Sequence, residues 1–372
     1  MKIQPFELER YFAKYEFAVK YLLSSSDCDG LGQKELLNLA DDETRELWEN
    51  LKLGYTESLG LPLLRKEITN LYKDIAQDDV LVVTPEEGIF ITLNCILDKK
   101  DHVIVTFPGY QSLYEVAKSL GCEITYWKPD ENTGWKFDIE FLKKSIKSNT
   151  KLIVFNFPHN PTGYLPSRSD FQEIIDLAQQ KGIYVLSDEM YRYLEFQQED
   201  KLPSACELYD RAISLFGMSK TFGMAGVRIG WLATKNKELY SQLATFKDYT
   251  TICSSAPSEI LSLIALRNRD KIISNHLTRI KRNINILDKF FVNNSKLFSW
   301  VKPKGGTICF PRLLTNQNSF DFCETVVKEA GIMLLPSTVY DYDDNHFRVG
   351  FGRENMPEVL TKFDEYVKSK FK

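Results

Sequence analysis

The sequence has little of what staples or metallates a small fold. Its seven cysteines (Cys28, Cys95, Cys122, Cys206, Cys253, Cys309, Cys323) are odd in number and widely spread, and none pairs as CxxC. That excludes a disulfide framework and predicts scattered reduced thiols in a cytoplasmic protein. The four histidines (His102, His159, His276, His346) have no ligand spacing, so no metal site is expected. There is no run of about 18 apolar residues, which predicts no membrane-spanning helix. The opening MKIQPFELERYF lacks an apolar core before a small-residue cleavage site, which predicts no secretory signal. Neither sign of charge is in excess: 47 Lys+Arg against 51 Asp+Glu leave −4 over 372 residues. Charge therefore points to neither a nucleic-acid nor a membrane partner. Internal repeats, low-complexity tracts and long Pro/Gly/Ser linkers are missing too.

What remains is ample core material. With 43% apolar residues over this length, two or three domains of roughly 100–200 residues each are expected. Between about 80 and 235, short apolar runs rich in β-branched residues alternate with helical patterns. The strand candidates are VLVV (80–83), HVIVTF (102–107), KLIVFNF (151–157), GIYVLS (182–187), AISLFG (212–217) and RIGWLAT (228–234). The helical stretches between them include EEGIFITLNCIL, QSLYEVAKSLG and SRSDFQEIIDLAQQKG, the last two stopped by glycine. Strands apolar on both faces and separated by helices predict an α/β fold with a mainly parallel sheet covered on both sides. Residues 255–293 read as long helices. Residues 298–350 read as short strands around the helix DFCETVVKEAG, an α+β unit. The first forty residues do not resemble the sheet region and are expected to pack on that tail.

In open α/β sheets ligands bind beyond the carboxyl ends of the strands. There the chain places Tyr110 (in Pro108-Gly109-Tyr110), Asn160 (in Pro158-His159-Asn160-Pro161-Thr162-Gly163), Asp188 with Tyr191, Ser219-Lys220, and Arg228. Each has a plainer use alone: Asp188 as a helix cap, Asn160 as a turn former, Tyr110 and Tyr191 as core aromatics, Arg228 as an ion-pair partner. Together they meet the needs of one cofactor, pyridoxal 5′-phosphate. It requires an amine for a Schiff base, a carboxylate at the ring nitrogen, donors at the ring oxygen, an aromatic face, and a cation with hydroxyls or N–H groups for the phosphate.

From about Gly54 to Arg353, the ordered motifs HNPTG, SDEMY, MSKTFGMAGVRIGW and FRVGFG resemble the fold type I pyridoxal-phosphate enzymes. Within them the chain is similar to the class I/II aminotransferases related to aspartate aminotransferase. The resemblance implies a seven-stranded-type sheet with helices on both faces, plus a smaller α+β domain. It implies a large domain at 41–275 and a small one from 1–40 and 276–372. Lys220 then corresponds to the Schiff-base lysine, Asp188 to the partner of the pyridine nitrogen, Tyr191 and Asn160 to the donors at the ring oxygen, and Tyr110 to the stacking ring. Arg228 and Ser219 correspond to phosphate ligands. Arg348 corresponds to the fork for the substrate carboxylate, beside Asn160. Tyr55 corresponds to a tyrosine reaching the partner's phosphate in a homodimer with sites at the interface.

Two departures touch the phosphate cup. Gly217 stands where many relatives have a serine, and Val83-Thr84-Pro85-Glu86-Glu87-Gly88 replaces a small-residue turn. Pro85 has no N–H to give. Thr84 and the Glu86 N–H remain, with the Glu86 carboxylate expected to point away. The implied activity is transfer of an amino group between an L-amino acid and a 2-oxo acid. The run from Pro108 to Trp135 looks nearer to capreomycidine synthase and the pyridoxal-phosphate arginine oxidases, so elimination, cyclisation or oxidation of an arginine-like amino acid is the alternative. The stretch Ser26-Asp27-Cys28-Asp29 is either a receptor for a guanidinium or a solvated turn; the turn is the expectation. A DNA-binding regulator on this fold is disfavoured, because too few residues precede Tyr55 for such a head.

Overall fold

The computed structural model describes residues 2–371. Seven strands form one sheet: β1 (Val80–Val83), β2 (His102–Thr106), β3 (Glu123–Trp127), β4 (Thr150–Asn156), β5 (Tyr184–Asp188), β6 (Ala212–Gly217) and β7 (Gly230–Ala233). Their spatial order is β1-β7-β6-β5-β4-β2-β3; β7 runs antiparallel to both neighbours and every other pair is parallel. The helices used below are α1 (Glu7–Tyr15), α2 (Pro85–Ile96), α3 (Ser112–Leu120), α4 (Arg168–Lys181), α5 (Ala256–Arg267), α6 (Arg269–Asn293), α7 (Ser319–Ala330) and α8 (Met356–Lys370).

Six strands fall where apolar runs predict them. Their side chains divide between two cores, as the twofold period of a strand requires. Val80 and Val82 pack with Leu64, Ile68 and Ile264, whereas Leu81 and Val83 pack with Ile91, Leu93 and Val105. Leu152 and Val154 share that second cluster, while Ile153 and Phe155 join Phe171 and Ile175 on the other face. Covering both faces removes the strands from water, so no polar alternation is needed. The edge strand β3 escapes the pattern because only Trp127 of its five residues is buried. Helix stops behave as expected. Ser167 Oγ accepts the Asp170 N–H at the start of α4, and Gly121 and Gly182 end α3 and α4 with φ of 88° and 66°.

The tail forms a core of its own. Leu287 and Phe290 of α6, Phe322 and Val326 of α7 and Phe363 of α8 pack on a three-stranded sheet. That sheet joins β8 (Ile308–Cys309), β9 (Leu335–Pro336) and β10 (Phe347–Gly350), with β10 central. The N-terminal segment packs there as expected: Tyr21–Leu22 pairs in parallel with Ile332–Met333. It also reaches further than expected. Gln111, just before α3, exchanges bonds with the chain ahead of α1: Glu7 N–H donates to its Oε1 (2.9 Å) and its Nε2 donates to Pro5 O (2.7 Å). The first residues therefore bridge the tail and the mouth of the large sheet.

Candidate active site

The carboxyl ends of β4, β5 and β6 open into a cavity of about 500 Å³. At the end of β5, Asp188 is 5% exposed; its Oδ1 accepts the Met190 N–H at 3.1 Å, and it is in no ion pair among the described residues. Burial raises its pKa to about 7. Behind it, Glu189 accepts from Ser204 Oγ (2.8 Å), Ser214 Oγ (2.8 Å) and the Ala205 N–H (3.0 Å), which fixes the turn after the strand. Asn156, the register partner of Asp188, donates from Nδ2 to Asp188 O (2.9 Å) and accepts the Asn160 N–H on Oδ1 (2.7 Å). One amide thus ties the 158–163 loop to the β5 terminus.

Lys220 sits three residues past β6 and donates to Ser26 Oγ at 2.9 Å. Burial lowers its pKa, and nearby Arg348 and Arg228 act in the same direction against the carboxylate of Asp27. Arg348, 1% exposed on the central strand β10, is held from all sides. Its Nε and Nη2 donate to Ser24 O (3.1 and 2.8 Å), and its Nη1 donates to Tyr340 Oη (2.7 Å) and Asn160 Oδ1 (3.3 Å). Tyr340 Oη also donates to Asn160 Oδ1 at 3.0 Å, which leaves the Asn160 Nδ2 for the cavity. The 23–27 segment can lie this close because Gly350 has no side chain: a Cβ there would fall 1.9 Å from Ser25 O.

Of the residues predicted from sequence, Pro85, Glu86, Tyr110, Asn160, Asp188, Tyr191, Ser219, Lys220, Arg228 and Arg348 line this one cavity. Thr84 lies behind it, its hydroxyl donating to Arg228 O at 3.2 Å. Tyr55 is elsewhere on this chain, 90% exposed. Two expectations are corrected. The Glu86 carboxylate does not turn away but faces the cavity and accepts from Ser112 Oγ at 3.3 Å. The 26–29 stretch is not a solvated turn: Ser26 holds Lys220, and Asp27 receives the guanidinium of Arg353 through Nε and Nη2, both at 3.2 Å. Sequence reasoning also missed Asn156, Tyr340 and the α1 wall of Phe6, Glu9, Phe12 and Glu16. Asn156 had a visible signal, a lone amide ending an apolar strand. The α1 wall had none.

The donor set fits pyridoxal 5′-phosphate. Tyr191 is 3% exposed and, among the described residues, its hydroxyl has no hydrogen-bond partner, an orphan that costs about 1–3 kcal/mol unless a ligand satisfies it. Asp188 is a buried carboxyl lacking a cation, and a pyridinium supplies one. Among the described residues Lys220 is the only lysine lining the cavity.

A family model described as aminotransferase class I and II matches residues 18–363. Capreomycidine synthase of Streptomyces vinaceus is 27% identical over 348 residues, covering 92% of this chain and 88% of that protein. A probable aspartate aminotransferase of Methanocaldococcus jannaschii is 27% identical over 334 residues, covering 86% and 87%. The crystal structure of a PLP-dependent aminotransferase from Streptococcus suis 89-1591 superposes with a TM-score of 0.93 at 29% identity over the whole of both chains.

Proposed function

The chain belongs to the class I and II aminotransferases, and on that premise we propose which of its residues do the work. It is a pyridoxal 5′-phosphate-dependent enzyme that moves an amino group between an L-amino acid and a 2-oxo acid. One observation carries the assignment: an amine (Lys220), a carboxyl without a cation (Asp188) and a braced guanidinium (Arg348) share one cavity. When bound, the cofactor supplies an aldehyde that condenses with amines and a protonated ring that takes up an electron pair. Lys220 holds it, and the lowered pKa of its amine leaves a larger neutral fraction to take the substrate Cα proton. Asp188 keeps a proton on the ring nitrogen. Tyr191 and Asn160 Nδ2 donate at the ring oxygen, and Tyr110 packs against the ring. Arg228, Ser219 and the Thr84-Pro85-Glu86 end of α2 meet the phosphate. Arg348, with one Nη2 N–H left over from its protein bonds, is the cation for the substrate carboxylate. Phe6 and Phe12 line the wall beside it.

Lys220→Ala is expected to abolish turnover. Borohydride treatment of the wild-type holoenzyme should leave a pyridoxyl mass on the peptide containing Lys220; active protein with that peptide unlabelled overturns the assignment. We assign large and small units to 41–275 and to 1–40 with 276–372, and a cytoplasmic home consistent with seven free cysteines. Tyr55 is assigned to a second copy's site in a homodimer. Leu53 (86% exposed) and Tyr249 (86% exposed) give that contact apolar surface. A fully active monomer would refute the dimeric site.

A second reading concerns substrate. After Arg228, Arg348 and Asp188 are assigned, Glu9 and Glu16 remain in the wall, and neither is in an ion pair among the described residues. Unneutralised carboxylates beside the substrate favour a basic, arginine-like side chain and oppose a second carboxylate. Stoichiometric oxo-acid and amine transfer, measured against ammonia release and oxygen uptake with arginine as substrate, separates transamination from elimination, cyclisation or oxidation.

A further inference from the structure

The two departures at the phosphate cup are one packing feature. Gly217 and Gly230 face each other across β6 and β7. A Cβ at 217 would fall 2.9 Å from Gly230 Cα, 2.9 Å from Ile229 O and 3.4 Å from Pro85 Cγ. A Cβ at 230 would fall 2.9 Å from the same Pro85 Cγ. The proline ring is seated against the glycine pair: the backbone of β7 (Ile229 O and Gly230 Cα) excludes a hydroxyl-bearing side chain at 217, and Pro85 excludes one at 230. The cup has therefore lost a hydroxyl and an N–H together. What this chain places there instead is Glu86, the second residue of α2.

Glu86 lines the cavity beside Ser219, Lys220 and Arg228. Its Oε2 accepts from Ser112 Oγ of α3, and the Tyr110 hydroxyl also lies beside the carboxyl. The groups facing it are Glu9 of α1, Tyr110 ahead of α3, and Arg228 ahead of β7. Glu9 is a like charge, itself bonded by the Tyr110 hydroxyl at 3.2 Å. An ionised carboxylate between Glu9 and a phosphate would be repelled from both sides. A neutral carboxylic acid is instead a strong donor to a phosphate oxygen. Resting on the cofactor reading above, we propose that Glu86 serves, in its protonated form, as a hydrogen-bond donor to the cofactor's phosphate in place of the groups lost at 217 and 85. Burial, with the like charge of Glu9, raises the Glu86 pKa and so favours that form, against the bonds from Ser112 and Tyr110 and the charge of Arg228.

The test is cofactor retention by the holoenzyme. Release of pyridoxal 5′-phosphate after dilution is followed by absorbance from about pH 6 to about pH 8.5 for wild type, Glu86→Gln and Glu86→Ala. The wild type should lose cofactor on the order of tenfold faster once the pH has risen through the raised Glu86 value. Gln keeps an N–H donor without charge, so its retention should change far less with pH. Ala should release cofactor faster than Gln at every pH. Pyridoxamine 5′-phosphate, which makes no covalent bond to Lys220, should give the same order of variants. Identical pH slopes for wild type and Gln, or Ala as retentive as Gln, would overturn the proposal and leave the enzyme assignment standing. A wild type that takes up no cofactor at any pH overturns both.

Discussion

The floor and the wall of the cavity are built differently. The floor is Asn160, Asp188 and Lys220, each within a few residues of a strand that ends in the parallel sheet. The wall is assembled from pieces distant in sequence: Ser24 and Ser26, Tyr340 and Arg348, and α1. A strand end is a fixed address, because an apolar run sets where the sheet stops and the next residues must face the cavity mouth. The wall has no such address; its residues meet only when the N-terminal segment docks on β10. The floor therefore concentrates the chemistry, and the wall holds the adjustable contacts for substrate.

That contrast fails if floor and wall substitutions have equal effects. The largest loss is expected on the floor. Asp188→Asn keeps the shape and the Met190 bond but removes the charge that a ring cation requires. Turnover should fall by on the order of 10²-fold or more, the scale of losing one preorganised electrostatic partner. A variant within about threefold of wild type would mean that Asp188 is merely a turn residue.

A wall substitution should act on binding first. Arg348→Lys keeps a charge but gives up the fork held by Ser24 O, Tyr340 and Asn160. A lost charge-assisted bond of about 1.5–3 kcal/mol corresponds to a KM raised roughly tenfold to a hundredfold, with a smaller change in kcat. Tyr340→Phe should follow in the same direction and more weakly, since the arginine keeps its two bonds to Ser24 O. A drop confined to kcat would move Arg348 from wall to floor.

The same contrast explains what was legible in the sequence. Six of the seven strands, and the floor residues beyond them, follow from apolar runs and the groups just after them. β3 was not legible because its polar, half-open edge breaks the run. The role of Ser26 was hidden because Asp and Ser in a loop mimic a solvated turn; only the approach permitted by Gly350 turns that segment inward. The Pro85–Gly217 pairing was invisible for a related reason. Two oddities 132 positions apart read as separate defects until the β6–β7 register puts one ring over both glycines.

The smallest effect belongs to a contact behind the wall. His346, two residues before Arg348, is 2% exposed and stacks on Phe310 at 5.0 Å. Its Nδ1 meets Asp343, and its Nε2 lies 3.3 Å from Glu131. Burial alone would lower the histidine pKa, but the two carboxylates win and raise it above 6.5. Asp343 is shifted the other way, below 3.8: burial opposes this, but the bond and charge of His346, with the bonds from Ser337 and the Asn345 N–H, together outweigh it. A raised histidine contributes stability that is fully present below its unfolded value and is lost as pH rises through the folded one. The lowered aspartate contributes stability lost only in acid, as pH falls through its own folded value. The His346 contacts should therefore be strongest below its unfolded value of 6.5 and weaken as the pH rises through the raised folded value, lowering Tm by on the order of a few degrees. His346→Phe keeps a ring against Phe310 and should remove that alkaline slope, leaving Asp343 without its imidazole partner and Glu131 with Arg312 alone at every pH. Thermal unfolding from about pH 5 to about pH 9 measures it, and a slope unchanged by the substitution would place the alkaline loss in another group.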